Sequence, residues 1–266
     1  MRNAEFNDPR LIQVYDAQCR WSSDDDLFLA LANEMPGSRV LDLGCGTGRL
    51  TLALADAGHT VLGIDPARAS LEAARLKPGA ERVTWMEGTA ADAPVQAFDL
   101  ALMTSHVAQF ITGDEEWQGT LAELNRALVP GGRLIFESRD PAARAWESWA
   151  ADPSADRYRL PDGSSVEVWT EVTEVLAGEP SGPLVTFVHH YSFSASPEER
   201  LSRSTLRFRT EETLRSSLGR AGFEVEHLFG GWHREPVGQG DGEFIVVARA
   251  SGRGRTEKPR RSGAWG

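Results

Sequence analysis

Residues 40–48 read Val-Leu-Asp-Leu-Gly-Cys-Gly-Thr-Gly, and this stretch decides the fold. Its apolar residues predict a buried parallel strand, and residues 49–57 follow with leucines at helical spacing. Three glycines lie between strand and helix, where absent side chains let a ligand approach the main chain. The order of strand, glycine turn and helix predicts a loop that binds a nucleotide-containing cofactor.

A second strand is predicted at residues 59–64, and it ends in Asp65. A carboxylate about 20 residues beyond the first glycines is placed to accept hydrogen bonds from both hydroxyls of a ribose. Asp followed by Pro66 is also a preferred helix start, so capping and ribose binding can coexist. The spacing alone also permits an NAD site. Asp42 argues against NAD, because a dinucleotide loop normally holds an apolar residue there, whereas a carboxylate suits a cationic ligand.

The glycine loop and the acid after the second strand resemble those of the class I S-adenosylmethionine-dependent methyltransferases. Further matches follow in the family's order: a third strand at residues 83–88, a fourth at residues 98–103, and at residues 128–136 a helix end, a turn and a fifth strand. The resemblance covers residues 38–138. It implies an α/β fold with a doubly wound, mostly parallel sheet and helices on both faces. An antiparallel hairpin closes that sheet in the family, and residues 222–229 and 243–249 can supply it.

The resemblance implies S-adenosyl-L-methionine as the cofactor. The implied contacts are the loop residues Gly44, Cys45, Gly46 and Gly48, the acids Asp42 and Asp65 with Pro66, and, beside the adenine, Thr89 and Ala90. Asp42 is expected on the ammonium side, directly or through water; the alternative is a carboxylate that only stabilises the turn. Many relatives carry an acid where this chain has Thr89, so the adenine contact is open between Thr89, the main chain at Ala90, and Asp92.

In this family the segment after the fourth strand passes beside the methionine moiety and faces the transferred methyl group. Here residues 103–107 read Met-Thr-Ser-His-Val, which makes Ser105 a candidate cofactor contact and His106 the candidate catalytic residue. An imidazole near its ordinary pKa can remove a proton from oxygen or nitrogen. Two alternatives stay open. In the first, His106 has only a structural role. In the second, the reaction needs no base, because positioning of an already activated methyl donor suffices.

Residues 1–37 form an amphipathic segment before the first strand, which in the resembled family folds over the cofactor as a helical lid. Tyr15 and Trp21 lie there among polar residues. They are candidate cofactor contacts, because aromatic faces steady a cationic sulfur and exclude water. Core packing is the alternative for both, and Trp146 and Trp149 are further aromatic residues available to the site.

The segment between the fifth strand and the closing hairpin, residues 139–209, is expected to cover the cleft and choose the substrate. A helix is predicted first, and period-two alternation then predicts three antiparallel strands. These elements are expected at residues 141–150, 165–173, 184–193 and 201–208. His189 and His190 fall on opposite faces of one strand, so at most one faces the cleft. Arg207 and Arg209 are candidates for holding an anionic substrate.

Composition fits one large domain with an insertion. The chain has 266 residues, of which 41% are hydrophobic, enough for one large core. We expect residues 1–250 to form the methyltransferase domain and the arginine-rich residues 251–266 to be a disordered basic tail. The net charge of −11 opposes nonspecific attraction to nucleic acid or an anionic membrane, so neither is expected as a partner.

Two cysteines, Cys19 and Cys45, are too few for a disulfide framework or a thiolate metal site, and no bound metal is expected. The amino terminus holds no apolar run of signal-peptide length, and no later segment approaches the roughly 20 apolar residues of a membrane span. The expected location is therefore the reducing cytoplasm. The sequence does not fix the oligomeric state.

Motifs missing from the sequence narrow the methyl acceptor. Methyltransferases of nucleic-acid amino groups carry Asp or Asn, then Pro-Pro and an aromatic residue, after the fourth strand, and residues 103–106 differ from that pattern. A Pro-Cys nucleophile for attack on cytosine is also absent from the sequence. We predict methyl transfer to oxygen or nitrogen of a small metabolite. The alternative is a noncatalytic S-adenosylmethionine-binding regulatory protein. Aminopropyl transfer on the same fold is disfavoured, because Thr104, Ser105 and His106 stand where it needs acids for a polyamine.

Overall fold

A computed structural model describes residues 3–151, 155–196 and 199–251, and residues 252–266 of the expected tail lie outside the described residues. Two sheets form within these ranges. Their strands are β1 (Arg39–Leu43), β2 (Thr60–Asp65), β3 (Thr84–Glu87), β4 (Phe98–Met103), β5 (Leu128–Arg139), β6 (Asp156–Arg159), β7 (Ser165–Leu176), β8 (Leu184–Phe193), β9 (Glu199–Arg207), β10 (Phe223–Phe229) and β11 (Glu243–Ala250).

The larger sheet has seven strands in the order β10-β11-β5-β4-β1-β2-β3. The strands β1 to β5 pair in parallel, whereas β11 runs antiparallel to both β5 and β10. Parallel strands place their carboxyl ends at one edge of the sheet, where ligands bind in such folds. The predicted fold class and the closing hairpin are confirmed.

Helices cover both faces of the larger sheet. The α-helices are α1 (Pro9–Gln18), α2 (Ser23–Asn33), α3 (Arg49–Asp56), α4 (Arg68–Arg75), α5 (Val107–Phe110), α6 (Asp114–Ala127), α7 (Trp146–Ala151) and α8 (Glu211–Arg220). Leu100 and Leu102 of β4 pack on the face that α2 and α3 cover. Ala101 and Met103 pack on the other face, with α6 and α8. Because both faces are buried, the central strands read as continuous apolar runs.

The smaller sheet is antiparallel, with strand order β6-β7-β8-β9. The sequence predicts three of these strands but not β6, so the predicted count is wrong. Only four residues long, β6 pairs with β7 alone and contains the charged residues Asp156, Arg157 and Arg159. A short, charged edge strand lacks the alternation on which sequence prediction depends.

The helix predicted at residues 141–150 is interrupted, so that prediction needs correction. A 3₁₀ turn spans Pro141–Ala143, and the Asp140 side chain caps it by accepting a hydrogen bond from the Ala142 N–H at 2.8 Å. Arg144 then adopts a left-handed φ of 48°, which ends the turn. The α-helix proper begins two residues later, at Trp146.

The N-terminal helices connect the two sheets. Leu11 and Val14 of α1 pack with Val168 and Tyr191 of the smaller sheet. Phe28 and other residues of α2 pack against the larger sheet. This arrangement leaves a cleft between the sheets, next to the carboxyl end of β4. No helix in the described ranges has both the length and the hydropathy needed to cross a membrane.

Candidate active site

The glycine loop joins β1 to α3 and is shaped by left-handed φ angles at Gly44, Gly46 and Gly48. A Cβ atom at Gly44 would lie 2.4 Å from a methyl group of Val107, and one at Gly48 would lie 2.5 Å from the Trp85 ring. Internal packing therefore requires these two glycines. A Cβ at Gly46 would meet nothing within 4 Å. Gly46 is the loop glycine that leaves open space for a ligand.

Asp42 lies beneath this loop, buried at the end of β1. Its Oδ2 accepts a hydrogen bond of 2.6 Å from the Thr51 hydroxyl on α3, whereas Oδ1 has no partner among the described residues. Burial raises the pKa of Asp42 to about 6. The carboxyl group borders a small cavity of about 30 Å³, together with Gly44, Cys45 and Gly46. A buried oxygen without a donor can receive one from a ligand.

Asp65 holds the loop and the following helix together. Its carboxylate accepts hydrogen bonds from the Gly46 N–H at 2.8 Å and from the Ala67 N–H at 2.7 Å. The capping contribution expected of Asp65 is thus present at the start of α4. Each carboxylate oxygen has a second lone pair, so these bonds leave capacity for hydroxyl donors.

The other residues expected near the ribose and adenine differ in exposure. Pro66 and Thr89 are exposed, whereas the Ala90 side chain is buried in the core. The main-chain N–H of Thr89 donates to Asp92 at 2.8 Å, within a capping box. Asp92 therefore stabilises the local turn, whereas the sequence alone made it a candidate adenine contact.

A cavity of about 650 Å³ separates the glycine loop from the smaller sheet. Ser105 and His106 enter it from a turn after β4, where their φ angles are 57° and 63°. Left-handed conformations of consecutive non-glycine residues are strained, and such strain clusters at functional sites. The remaining lining combines aromatic and polar residues: Glu5, Phe6, Tyr15, Gln18, Cys19, Arg20, Trp21, Ser22, Asp24, Arg49, Phe110, Arg139, Trp149, Thr170, Phe187, His189, Tyr191 and Leu206.

His106 is held by two acids from distant strands. Its Nε2 lies 3.0 Å from Oε1 of Glu243, at the start of β11, and its main-chain N–H donates to Glu137 of β5 at 2.5 Å. Burial, together with the nearby Arg139 guanidinium, lowers the pKa of His106. Burial also raises the pKa of Glu137 well above its usual range. The imidazole is therefore neutral at pH 7 and fixed in orientation.

Arg49 is a site residue that the sequence interpretation missed. It lines both cavities, forms an ion pair with Asp25, and donates to the Ser105 hydroxyl at 3.2 Å. It also donates to the main-chain oxygen of Arg20 at 2.8 Å. The sequence signal for Arg49 was its position directly after Gly48. The first residue of the helix that follows the glycine loop lies next to the cleft.

The predicted lid aromatics take different positions. Tyr15 lines both cavities from α1. Trp21 borders only the larger one; 42% of it is exposed, and its indole N–H donates to Asp26 at 2.7 Å. Trp149 also lines the larger cavity, and Trp146 packs beside it on Phe208.

The wall opposite the loop comes from β8, whose alternate residues Phe187, His189 and Tyr191 line the larger cavity. His190 points the other way and stacks on Trp169, with ring centroids 4.8 Å apart. The prediction that at most one of these histidines faces the cleft is confirmed. Burial lowers the pKa of His189 to about 4, and its Nδ1 lies 2.8 Å from the Thr170 hydroxyl.

Arg207 and Arg209 do not line either cavity, so the proposed grip on an anionic substrate is wrong for both. Both side chains are buried. Arg207 donates to the main-chain oxygens of Thr112 and Gly182, and Arg209 to those of Ala108 and Ile111. Their guanidinium groups satisfy carbonyls of α5 and the residues after it, and that of Gly182 before β8.

Comparison with known proteins agrees with this geometry. Residues 40–132 match a family model described as a methyltransferase domain. An uncharacterized methyltransferase of Geobacillus thermodenitrificans (strain NG80-2) is 31% identical over 171 residues, which cover 62% of this chain and 78% of the relative. The cypemycin N-terminal methyltransferase of a Streptomyces species is 28% identical over 251 residues, 93% of this chain and 98% of the relative.

Among solved structures, an S-adenosylmethionine-dependent methyltransferase from Clostridium acetobutylicum ATCC 824 has a TM-score of 0.71 at 16% identity, covering 91% of this chain and 98% of its own. This likeness shows the shared fold. With the family match and the relative from Geobacillus thermodenitrificans, it establishes that the chain belongs to the class I S-adenosylmethionine-dependent methyltransferases and is an enzyme of that family.

Proposed function

We propose that this enzyme transfers a methyl group to oxygen or nitrogen of a small metabolite held in the 650 Å³ cavity. The observation that carries the proposal is the position of that cavity, between the glycine loop and the aromatic wall of β8, with His106 on its surface. Its volume lies within the range of small-molecule sites. The full-length relative named for N-terminal methylation of cypemycin supports a nitrogen acceptor among these possibilities.

The residues around the loop suit S-adenosylmethionine, which supplies an activated methyl group on a cationic sulfur when bound. The partnerless Oδ1 of Asp42 suits its ammonium group, and the open space at Gly46 suits close approach to the main chain. Arg49, which lines the same small cavity and already pairs with Asp25, would also pair with the cofactor's carboxylate. We assign Asp65 to the ribose hydroxyls and the main chain at Ala90, beside Thr89, to the adenine.

His106 is our candidate for the group that accepts the proton lost by the nucleophile. Its neutral state follows from burial and the nearby Arg139 guanidinium, and we assign the Nε2–H as the donor to Glu243 Oε1, the tautomer in which Nδ1 keeps its lone pair. A neutral imidazole with a fixed tautomer is the arrangement that a general base requires. Tyr15, Trp21 and Trp149 would exclude water from the methyl group in transfer.

Calorimetric binding of S-adenosylmethionine, S-adenosylhomocysteine and NAD to the purified chain tests the cofactor assignment. Micromolar binding of the first two without NAD is expected, and NAD binding alone would contradict it. An acceptor screen read by mass spectrometry then tests transfer: product gains one methylene unit in mass. Cofactor binding without product from any acceptor would favour the noncatalytic alternative.

We also propose that the enzyme works in the cytoplasm and without a nucleic-acid partner. The free thiols of Cys19 and Cys45 support a reducing compartment. The net charge of −11 supports small-molecule over nucleic-acid binding. The proposal also assigns roles to three ranges of the chain. Residues 1–250 form one domain, in which residues 1–37 are the lid over the cofactor and residues 139–209 cover the acceptor.

A further inference from the structure

Glu5 is a buried carboxyl group that the proposed chemistry does not use. It lies in the 3₁₀ turn Ala4–Phe6, is 5% exposed, and lines the larger cavity. The Ser204 hydroxyl lies 2.8 Å from its Oε1 and 3.0 Å from the Asn3 side-chain oxygen, so a single hydroxyl proton serves two acceptors. Oε2 of Glu5 has no partner among the described residues. Such a group is expensive to bury unless something donates to it.

Aromatic residues line the cavity that Glu5 borders. Phe6 packs edge-on against both Phe110 and Tyr15, with ring centroids 5.4 and 5.7 Å apart, and all three rings line the cavity. Burial raises the pKa of Glu5, and the charge of Glu5 adds to the burial that raises the pKa of Tyr191. A carboxyl group and aromatic rings that line the same cavity are the combination that attracts an organic cation.

The arginines of the cavity already have partners. Arg49 pairs with Asp25, and Arg139 donates to Gln109 at 3.0 Å and lies 4.0 Å from Glu243. Arg20 donates to a main-chain oxygen at 3.3 Å and is exposed. Within the described ranges, no ion pair reaches Glu5 from these side chains. The charge of the chain's amino terminus also acts on Glu5, where it opposes the effect of burial on the pKa. Oε2 nevertheless has no hydrogen-bond donor among the described residues, which leaves it able to accept one from a molecule in the cavity.

We propose that Glu5 is the centre of a cation-binding subsite and that the methyl acceptor carries a protonated amine next to an apolar or aromatic body. The ammonium group would donate a hydrogen bond to Oε2 and favour the carboxylate form of Glu5, any proton on Glu5 being released to water, while the rings of Phe6 and Phe110 contact the apolar body. The chain's net charge of −11 favours long-range attraction of cations to the protein over anions. This inference rests on the proposed function, because it takes the larger cavity as the acceptor site.

The test is calorimetric binding at saturating S-adenosylhomocysteine, with amines and alcohols of the same skeleton as probes. Suitable pairs are 2-phenylethylamine with 2-phenylethanol, and hexylamine with hexan-1-ol, with 3-phenylpropionate as the anionic probe. We expect each amine to bind at least about 10-fold more tightly than its alcohol, as a charged hydrogen bond provides. The anionic probe should bind most weakly. Equal affinities within the pairs, or no saturable binding by either amine, would overturn the subsite, and this comparison needs no variant.

Glu5→Gln keeps the shape of the side chain and removes its charge, so it should abolish the preference for amines over alcohols. Glu174→Gln is the matched control, because Glu174 is exposed on β7 and its loss changes the net charge equally. A preference that persists in Glu5→Gln would count against the subsite. Binding of S-adenosylhomocysteine is measured in parallel. If the wild type does not bind S-adenosylhomocysteine, the proposed function is refuted. If the wild type binds S-adenosylhomocysteine but shows no preference for amines, only the cation-binding subsite is refuted.

Discussion

The two sides of the cleft are built differently. On the side of the glycine loop, the two carboxylates bond residues close in sequence: Thr51 donates to Asp42, and the Gly46 N–H donates to Asp65. On the acceptor side, polar contacts join distant residues, such as His106 with Glu243 and Glu5 with Ser204. A cofactor shared by many enzymes can be bound by one local motif, whereas an acceptor is selected by elements that only the fold brings together. The two sides should therefore respond separately to mutation.

The largest effect is expected on the acceptor side. His106→Ala should lower turnover of an identified acceptor by about 100-fold, because it removes the proposed base. The dissociation constant of S-adenosylmethionine should not change. Steady-state kinetics and calorimetry on the same preparations measure both quantities.

Glu243→Gln is the companion to His106→Ala, since it keeps the side chain's shape but weakens the hold on Nε2. It should lower kcat less than His106→Ala and shift the pH profile of kcat, which a merely structural contact would leave in place. A small drop in His106→Ala would instead favour catalysis by positioning of the methyl donor.

On the cofactor side, Asp65→Ala should weaken S-adenosylmethionine binding by about 1 to 3 kcal/mol, because the ribose hydroxyls and the Gly46 N–H both lose an acceptor. Asp65→Asn keeps one acceptor oxygen and should lose less. Asp56→Ala, an exposed acid at the other end of α3, is the control and should bind normally. Unchanged affinity in Asp65→Ala would reject the ribose assignment.

Asp42→Asn should weaken S-adenosylmethionine binding by about 10-fold, through loss of the charge proposed to meet its ammonium group. It should also change the pH dependence of stability. Burial raises the pKa of Asp42 from 3.8 to about 6, so the protonated carboxyl stabilises the folded state at low pH and this contribution is lost as pH rises through about 6.

Cofactor-free wild type should thus lose up to about 3 kcal/mol of unfolding free energy between about pH 4 and 6, relative to Asp42→Asn. Denaturant unfolding of both proteins across that range measures the difference. Asp25, whose pKa burial also raises to about 6, is present in both proteins and cancels in the comparison. Parallel pH curves would show that Asp42 is not held in its protonated form.

The smallest effect is expected on acceptor binding, from substitutions on the two faces of β8. His189→Ala should weaken acceptor binding several-fold, because it removes a cavity wall and a partner of Thr170. His190→Ala should leave it unchanged, because His190 stacks on Trp169 away from the cavity. The Michaelis constants of the acceptor for the two variants measure this difference. Equal effects would mean that the smaller sheet does not contact the acceptor.

The sequence by itself determined the larger sheet, its closing hairpin, the glycine loop and the inward position of only one of the two histidines. These features depend on short-range periodicity and on residues that lie close together in the chain. It did not predict β6, whose charged residues carry no alternation, or the break at Arg144, where a left-handed φ ends the turn after Pro141.

Only the tertiary structure decided which side chains share the cleft. It brought Glu243 to His106 across 137 residues and Ser204 to Glu5 across 199. It also directed Arg207 and Arg209 to main-chain carbonyls, so that neither lines the larger cavity. Burial of a polar group and the partner it obtains depend on packing between distant elements. A local pattern therefore predicts the type of site but not the residues that complete it.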